Sequence, residues 1–201
     1  MSGNGVAIID SGGANIASLK FALNRLGVDA GLTADARTIR NASHVILPGV
    51  GAATAAMQRL EQTGLNILIP ELEQPVLGIC LGMQLLAEAS EEDDAECLGV
   101  IPGIAKKLSA SPEAPVPNMG WSPASLARQH PLLTGINEGS YFYFVHSYAL
   151  PVADYSLATA NHVDNFTAVL TYNNFCATQF HPERSSAAGA QLLANFLELQ
   201  P

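Results

Sequence analysis

The run Val76-Leu77-Gly78-Ile79-Cys80-Leu81-Gly82-Met83-Gln84 passes from a strand-like apolar stretch, through a cysteine bracketed by glycines, into a helix-like one. Its Gly-x-Cys-x-Gly spacing has the form of the Gly-x-Ser-x-Gly nucleophile elbow, in which small residues let the chain double back and leave the nucleophile projecting from the sheet edge. The start of a helix adds a partial positive charge that favours a thiolate. A packing cysteine is the plain alternative, but the two flanking glycines point to a thiol at a reactive corner.

The same strand-turn-helix pattern occurs twice upstream. Val6-Ala7-Ile8-Ile9 is an apolar run without polar alternation, as a strand covered on both faces would be, and it ends in Asp10-Ser11 before Gly12-Gly13. Ile16, Leu19, Phe21, Ala22, Leu23 and Leu26 then recur at helical spacing, with Gly27 where a C-terminal glycine belongs. His44-Val45-Ile46-Leu47 leads through Pro48-Gly49-Val50-Gly51 to a helix over 53–61. Three such units in the first ninety residues predict a parallel sheet with helices on its faces, and a ligand crevice at the strands' carboxyl ends. Gly12, Gly49 and Cys80 all fall on that edge.

Beyond residue 97 the texture changes. Pro102, Pro112, Pro115, Pro117 and Pro123 punctuate short segments, and Tyr141–Val145 and Val169–Tyr172 read as antiparallel, hairpin-like strands, so the sheet is expected to be mixed. A last amphipathic helix over 186–199 carries Leu192, Leu193, Phe196 and Leu197 on its apolar face. With 201 residues, no internal repeat and no long linker, one core is expected.

Hydrophobic residues make up 48% of the chain and charged ones only 13%, the composition of a compact soluble protein with apolar surface to spare for a partner. Nine Lys and Arg against eighteen Asp and Glu give a net charge of −9, which argues against nucleic acid and against anionic membrane surfaces. No segment reads as a signal peptide or a membrane span, and a cytoplasmic location is expected. Cys80, Cys97 and Cys176 have neither zinc-site spacing nor the density of a disulfide scaffold, and all three are expected to be reduced. Cys97 and Cys176 are read as inert.

A cysteine nucleophile needs a base. Of His44, His130, His146, His162 and His181, the contexts of His44, His130 and His162 suggest structural or solvated roles. His181 precedes Pro182, which pushes it toward extended geometry, so that His181 and Glu183 project to the same side. Cys80, His181 and Glu183 then supply the parts of acyl transfer: an attacking sulfur, a base that moves its proton to the leaving amine, and a carboxylate that fixes the base's tautomer. The implied intermediate is a thioester. The Leu81 amide is placed by the elbow to donate to the oxyanion, and the glycines flanking Val50 let that peptide turn a second N–H toward the site.

Taken together, Gly78–Gln84, Pro48–Gly51 and Gln179-Phe180-His181-Pro182-Glu183 resemble the class I, triad-type glutamine amidotransferases from end to end. Asp10–Ser18, Pro117-Asn118-Met119-Gly120-Trp121 and Tyr143-Phe144-Val145-His146-Ser147-Tyr148 are similar to one branch, the glutaminase subunits of imidazole glycerol phosphate synthases. The resemblance implies one amidotransferase domain over residues 1–201, a three-layer α/β sandwich with a central mixed, mostly parallel, flavodoxin-like sheet. It implies hydrolysis of L-glutamine to glutamate and ammonia, without cofactor or metal. The ammonia would pass to a (β/α)8-barrel cyclase subunit in a heterodimer, for synthesis of imidazole glycerol phosphate and aminoimidazole carboxamide ribotide in histidine biosynthesis.

Carried over by motif, Cys80 is the nucleophile, His181 the base and acid, and Glu183 its orienter. Val50 and Leu81 are the oxyanion donors. Gly49, Gly51, Gln84, Ser147 and Tyr148 resemble positions that line the substrate site. Asn15, Asn118, Met119, Gly120, Trp121 and Arg184 fall where the family meets its cyclase. Ser11 and Ala14 depart from the family pattern, as do Ser122 where Asn is common and Arg184 where Lys is usual. These departures bear on coupling to the partner and leave the triad untouched. Two other readings stand beside this one: the glutaminase subunit of pyridoxal phosphate synthase, similar in size and triad, and a non-catalytic amidotransferase-like partner module.

Overall fold

A computed structural model describes residues 5–12 and 16–200. The first half is built of β1 (Val6–Ile9), α1 (Ile16–Arg25), β2 (Ala30–Thr33), α2 (Ala36–Asn41), β3 (His44–Gly49), α3 (Ala53–Gln62), α4 (Leu65–Leu68), β4 (Val76–Cys80) and α5 (Leu81–Leu85). The second half contributes β5 (Ala87–Ser90), β6 (Ala95–Glu96), β7 (Ile101–Lys107), β8 (Asn118–Pro123), β9 (Ser125–Leu126), β10 (Tyr141–His146), β11 (Tyr148–Ala149), β12 (Ser156–Asn161), β13 (Asn165–Tyr172), β14 (Phe175–Thr178) and α6 (Ser186–Glu198). Eight strands form the main sheet in the order β2-β1-β3-β4-β14-β13-β12-β9. From β2 to β14 the pairings are parallel, and from β14 to β9 they are antiparallel, which gives the expected mixed sheet with a parallel core.

The apolar runs of β1 and β3 lack polar alternation because both sheet faces are covered. Val6 and Ile8 point into a core completed by Leu19, Ala22 and Leu23 of α1 and by Leu192, Leu193 and Phe196 of α6. Ala7 and Ile9 point the other way, into a core with Ile39 of α2 and Ala53, Ala56, Met57 and Leu60 of α3. Alternate side chains of one strand thus serve two cores, and a three-layer sandwich results. Each fully buried Leu, Ile or Phe removes enough apolar area from water to contribute about 1.5–3 kcal/mol.

Three features differ from the sequence expectations. A fourth strand-helix unit, β2 and α2, precedes β3. β2 is a sheet edge with Gly31 and Leu32 exposed, and α2 is a six-residue polar helix whose signature is its cap, with the Asp35 carboxylate accepting from the Thr38 amide at 2.8 Å. Tyr141–His146 is antiparallel, but its partner is Asn118–Pro123 in a separate two-stranded ribbon, joined to it by a long connection that carries β9 rather than by a tight turn. Lastly, α5 is only five residues long, because the chain leaves it to form β5, which pairs with β6 and β7 in a small second sheet.

Candidate active site

The elbow has the backbone its glycines anticipate. Cys80 ends β4 with φ 54° and ψ −110°, a region that non-glycine residues avoid, and it passes directly into α5. Such a conformation costs of order 1–3 kcal/mol and is held only because the surroundings fix it. Gly82 permits the fold-back: a Cβ there would stand 1.8 Å from the Leu47 carbonyl oxygen of β3. Gly49 serves the same contact from the other side, since its own Cβ would meet the Gly82 amide nitrogen at 2.7 Å. The sequence pattern predicts Gly49 in the lining of the substrate site. Gly49 ends β3 against the elbow and lines a cavity with Val50, Val145 and His181, while Val50 and Gly51 line the pocket that holds Cys80.

His181 follows β14 and the linking residues Gln179 and Phe180. Its Nδ1 lies 2.9 Å from Glu183 Oε1, both side chains being nearly buried. His181 is extended as proline requires, but Pro182–Arg184 forms a 3-10 turn, so the contact with Glu183 comes from a turn rather than from an extended i, i+2 pair. Burial alone would depress the imidazole, yet hydrogen bonds with Cys80 and Glu183 outweigh it and push His181 up to about 10. With Nδ1 held by Glu183, Nε2 is the ring nitrogen left for Cys80, and both neighbours favour the protonated imidazole. The ring's backbone is pinned as well: the His181 amide donates to the Tyr143 carbonyl at 3.0 Å, and Ser185 Oγ bridges the His181 carbonyl and the Tyr143 amide.

A pocket of about 290 Å³ opens in front of Cys80, lined by Val50, Gly51, Leu81, Gln84, Ser147, Tyr148 and His181. Seven residues singled out from sequence thus meet around the thiol from four segments of chain. Glu92, Val145 and His146 also line it, and no sequence motif gives them a role there. Glu92 accepts from the Ala53 amide at 2.8 Å, at the start of α3. It lies within the acidic run Glu91-Glu92-Asp93-Asp94, and the docking of that segment beside α3 gives it its direction. The Tyr148 hydroxyl is raised by partial burial and by the nearby carboxylates of Glu92, Asp93 and Glu91, which mark the pocket mouth as acidic.

His146 is no rival base. It is pulled down to about 4 by burial, with an opposing bond to the Tyr148 carbonyl and smaller contributions from His162 and His181. The carbonyl of Tyr148, 3.0 Å from Nδ1, requires a proton there, and Nε2 then accepts from Asn118 Nδ2 at 3.1 Å. His44 packs edge-on against Phe196, and His130 caps the 3-10 turn Pro131–Leu133. Cys97 and Cys176 are both pushed up to about 11 by burial, the opposite of what a nucleophile needs.

Behind the triad the β8–β10 ribbon presents an apolar face. The pleat alternates, so Met119 and Trp121 are 65% and 50% exposed while Asn118 turns inward to His146. The sequence pattern predicts Asn118 at a partner surface; here its side chain supports His146 instead. Trp121 packs edge-on against Tyr143, and the Arg184 guanidinium lies 4.4 Å from the centre of the Tyr143 ring. Asn15 lies outside the described residues. Ser11, one of the departures, is buried and donates to the Pro48 carbonyl at 2.7 Å, bracing the turn that carries Val50.

The glutamine amidotransferase class-I family model matches residues 7–199. The chain is 52% identical over 195 residues to the imidazole glycerol phosphate synthase subunit HisH 2 of Legionella pneumophila strain Lens, covering 97% of this chain and 98% of that one. It is 50% identical over 194 residues to the imidazole glycerol phosphate synthase subunit HisH of Xylella fastidiosa strain Temecula1, covering 96% and 97%. Among solved structures, a glutamine amidotransferase from Thermotoga maritima superposes with a TM-score of 0.68 at 16% identity, over 96% of this chain and 96% of that one. That last likeness speaks to the fold alone.

Proposed function

This chain belongs to the class-I glutamine amidotransferase family, and we propose that it is the glutaminase subunit of an imidazole glycerol phosphate synthase, releasing ammonia for histidine biosynthesis. The observation that carries this reading is the meeting of Cys80, His181 and Glu183 beside a pocket of amino-acid size. The near full-length similarity to relatives named as that subunit supports the choice of pathway over pyridoxal phosphate synthesis.

In the proposed reaction the Cys80 thiolate, paired with protonated His181, attacks the carboxamide carbon of glutamine. The amides of Leu81 and of the Val50 turn receive the oxyanion. His181 Nε2 gives its proton to the departing nitrogen, the C–N bond breaks, and ammonia leaves a γ-glutamyl thioester on Cys80. His181 then takes a proton from water, which attacks the thioester, and the second oxyanion collapses to glutamate and free thiolate. Glu183 holds the imidazole tautomer throughout. Each oxyanion donor contributes roughly 10²–10³ in rate. Gln84, Ser147 and Tyr148 hold the amino-acid end of the substrate, and Glu92 offers a carboxylate to its ammonium.

We further infer a single amidotransferase domain over the whole chain, a cytoplasmic location, and a heterodimer in which the exposed Met119-Gly120-Trp121 face, with Asn15 and Arg184 nearby in the family pattern, docks a (β/α)8-barrel cyclase. Ligand binding to the cyclase would regulate turnover across that face. The test is glutamate release by this protein alone, then with candidate cyclase, then with the cyclase and its phosphoribulosyl formimino substrate. Stimulation in the complete mixture is expected. Absence of glutamate release in all three mixtures overturns the proposal.

A further inference from the structure

Gln179 is completely buried, two residues before the catalytic histidine, and the proposed reaction gives it no task. Its side chain bridges the nucleophile and the pocket. Gln179 Nε2 lies 3.8 Å from Cys80 Sγ, and Gln179 Oε1 accepts from Gln84 Nε2 at 3.2 Å. The amide orientations follow from the network. Gln84 Nε2 also donates to the Tyr148 carbonyl at 2.7 Å, so the Gln84 atom facing Gln179 is nitrogen, Gln179 must answer with oxygen, and its own N–H₂ is left for the sulfur.

The sulfur needs such a donor. Val145 presents its carbonyl oxygen 3.7 Å from Sγ, an arrangement that accepts from a neutral S–H and repels a thiolate. Against this acceptor stand two donors, the His181 imidazolium and the Gln179 amide. Gln84 spends both its amide hydrogens, on Tyr148 and on Gln179, and therefore shows the pocket an acceptor, Oε1. A substrate N–H bonded there polarises the Gln84 amide, which strengthens its bond to Gln179 and in turn the Gln179 N–H toward sulfur, because hydrogen bonds in a buried chain reinforce one another.

We propose that Gln179 donates a hydrogen bond to the Cys80 thiolate and, through Gln84, links substrate occupancy of the pocket to the reactivity of the nucleophile. The inference rests on the glutaminase reading of the site and adds a residue to it.

The experiment is the pH dependence of Cys80 alkylation by iodoacetamide on the full chain, with the modified cysteine identified by mass spectrometry, beside steady-state glutaminase assays with the cyclase. Gln179→Met keeps much of the volume and removes both ends of the bridge. Gln179→Leu, uncharged and equally without a donor, stands in should the Met variant fail to fold. Loss of a hydrogen bond to a charged group shifts the alkylation midpoint of either variant upward by about one pH unit, an alkylation rate about tenfold slower below the midpoint. In the assays kcat falls comparably. Gln84→Met, which removes a substrate contact together with the donor that orients the Gln179 amide, raises KM and moves the alkylation midpoint in the same direction by a smaller amount.

An unchanged alkylation profile in both Gln179 variants overturns the inference while the glutaminase reading stands. Wild-type Cys80 reacting no faster than Cys97 would instead sink the assignment of Cys80 as the nucleophile.

Discussion

Replacing Gly82 by alanine tests the elbow with a single methyl group. The added Cβ would lie 1.8 Å from the Leu47 carbonyl oxygen and 2.9 Å from its carbon, about 1.6 Å inside the 3.4 Å at which ordinary contact begins. Leu47 cannot yield, because β3 is paired on both sides, to β1 and to β4. The displacement therefore falls on α5, which carries the Leu81 amide and Gln84 and is joined directly to Cys80. A misplacement of about 1 Å costs around 10²-fold, and loss of the Leu81 oxyanion donor roughly 10²–10³. Overpacking adds about 1–3 kcal/mol of destabilisation, and at about 2–4 °C per kcal/mol the melting temperature should fall by about 2–12 °C. Gly31→Ala is the control, since a methyl there meets nothing within 4 Å. Calorimetric melting and glutaminase turnover with the cyclase are the assays. A Gly82→Ala protein with wild-type melting and turnover would refute the close-approach account.

Cys80→Ala should abolish glutamine hydrolysis yet preserve complex formation and ammonia-dependent cyclase activity; surviving hydrolysis would remove Cys80 from the mechanism. The raised His181 contributes stability that is complete below its ordinary 6.5 and disappears as pH climbs through about 10. The unfolding midpoint should accordingly decline across that window, and Glu183→Gln, which removes one of the interactions favouring the imidazolium, should flatten the decline; identical profiles would argue against the assignment. Trp121→Ala should weaken cyclase binding by at least about 2 kcal/mol, roughly 30-fold in Kd by titration calorimetry, if this exposed ring is the anchor of the interface. An unchanged Kd would move the docking face elsewhere.

Much of this is legible in residue order alone. The apolar runs of β1, β3 and β4 can be read because a strand covered on both faces has no polar positions to obscure it. The elbow can be read because only small residues at 78 and 82 fit its geometry, and the histidine-proline-glutamate run because two residues of separation leave little freedom. β2 and α2 escape notice for the complementary reason: an edge strand and a short polar helix carry little periodic signal, and one aspartate cap is their main mark.

By itself, then, the sequence determined the strand-turn-helix corner that carries Cys80 and the parallel core beneath it, because local spacing and burial on two faces leave a direct imprint on residue order. Only the tertiary structure decided what surrounds that thiol. It brought the β8–β10 ribbon against the triad, turned Asn118 inward to hold His146, set Glu92 at the pocket mouth, and aimed the buried amide of Gln179 at the sulfur. The side-chain bonds of Asn118, Glu92 and Gln179 join residues from 28 to 99 positions apart. Their directions depend on strand register and close packing, which no short stretch of sequence records.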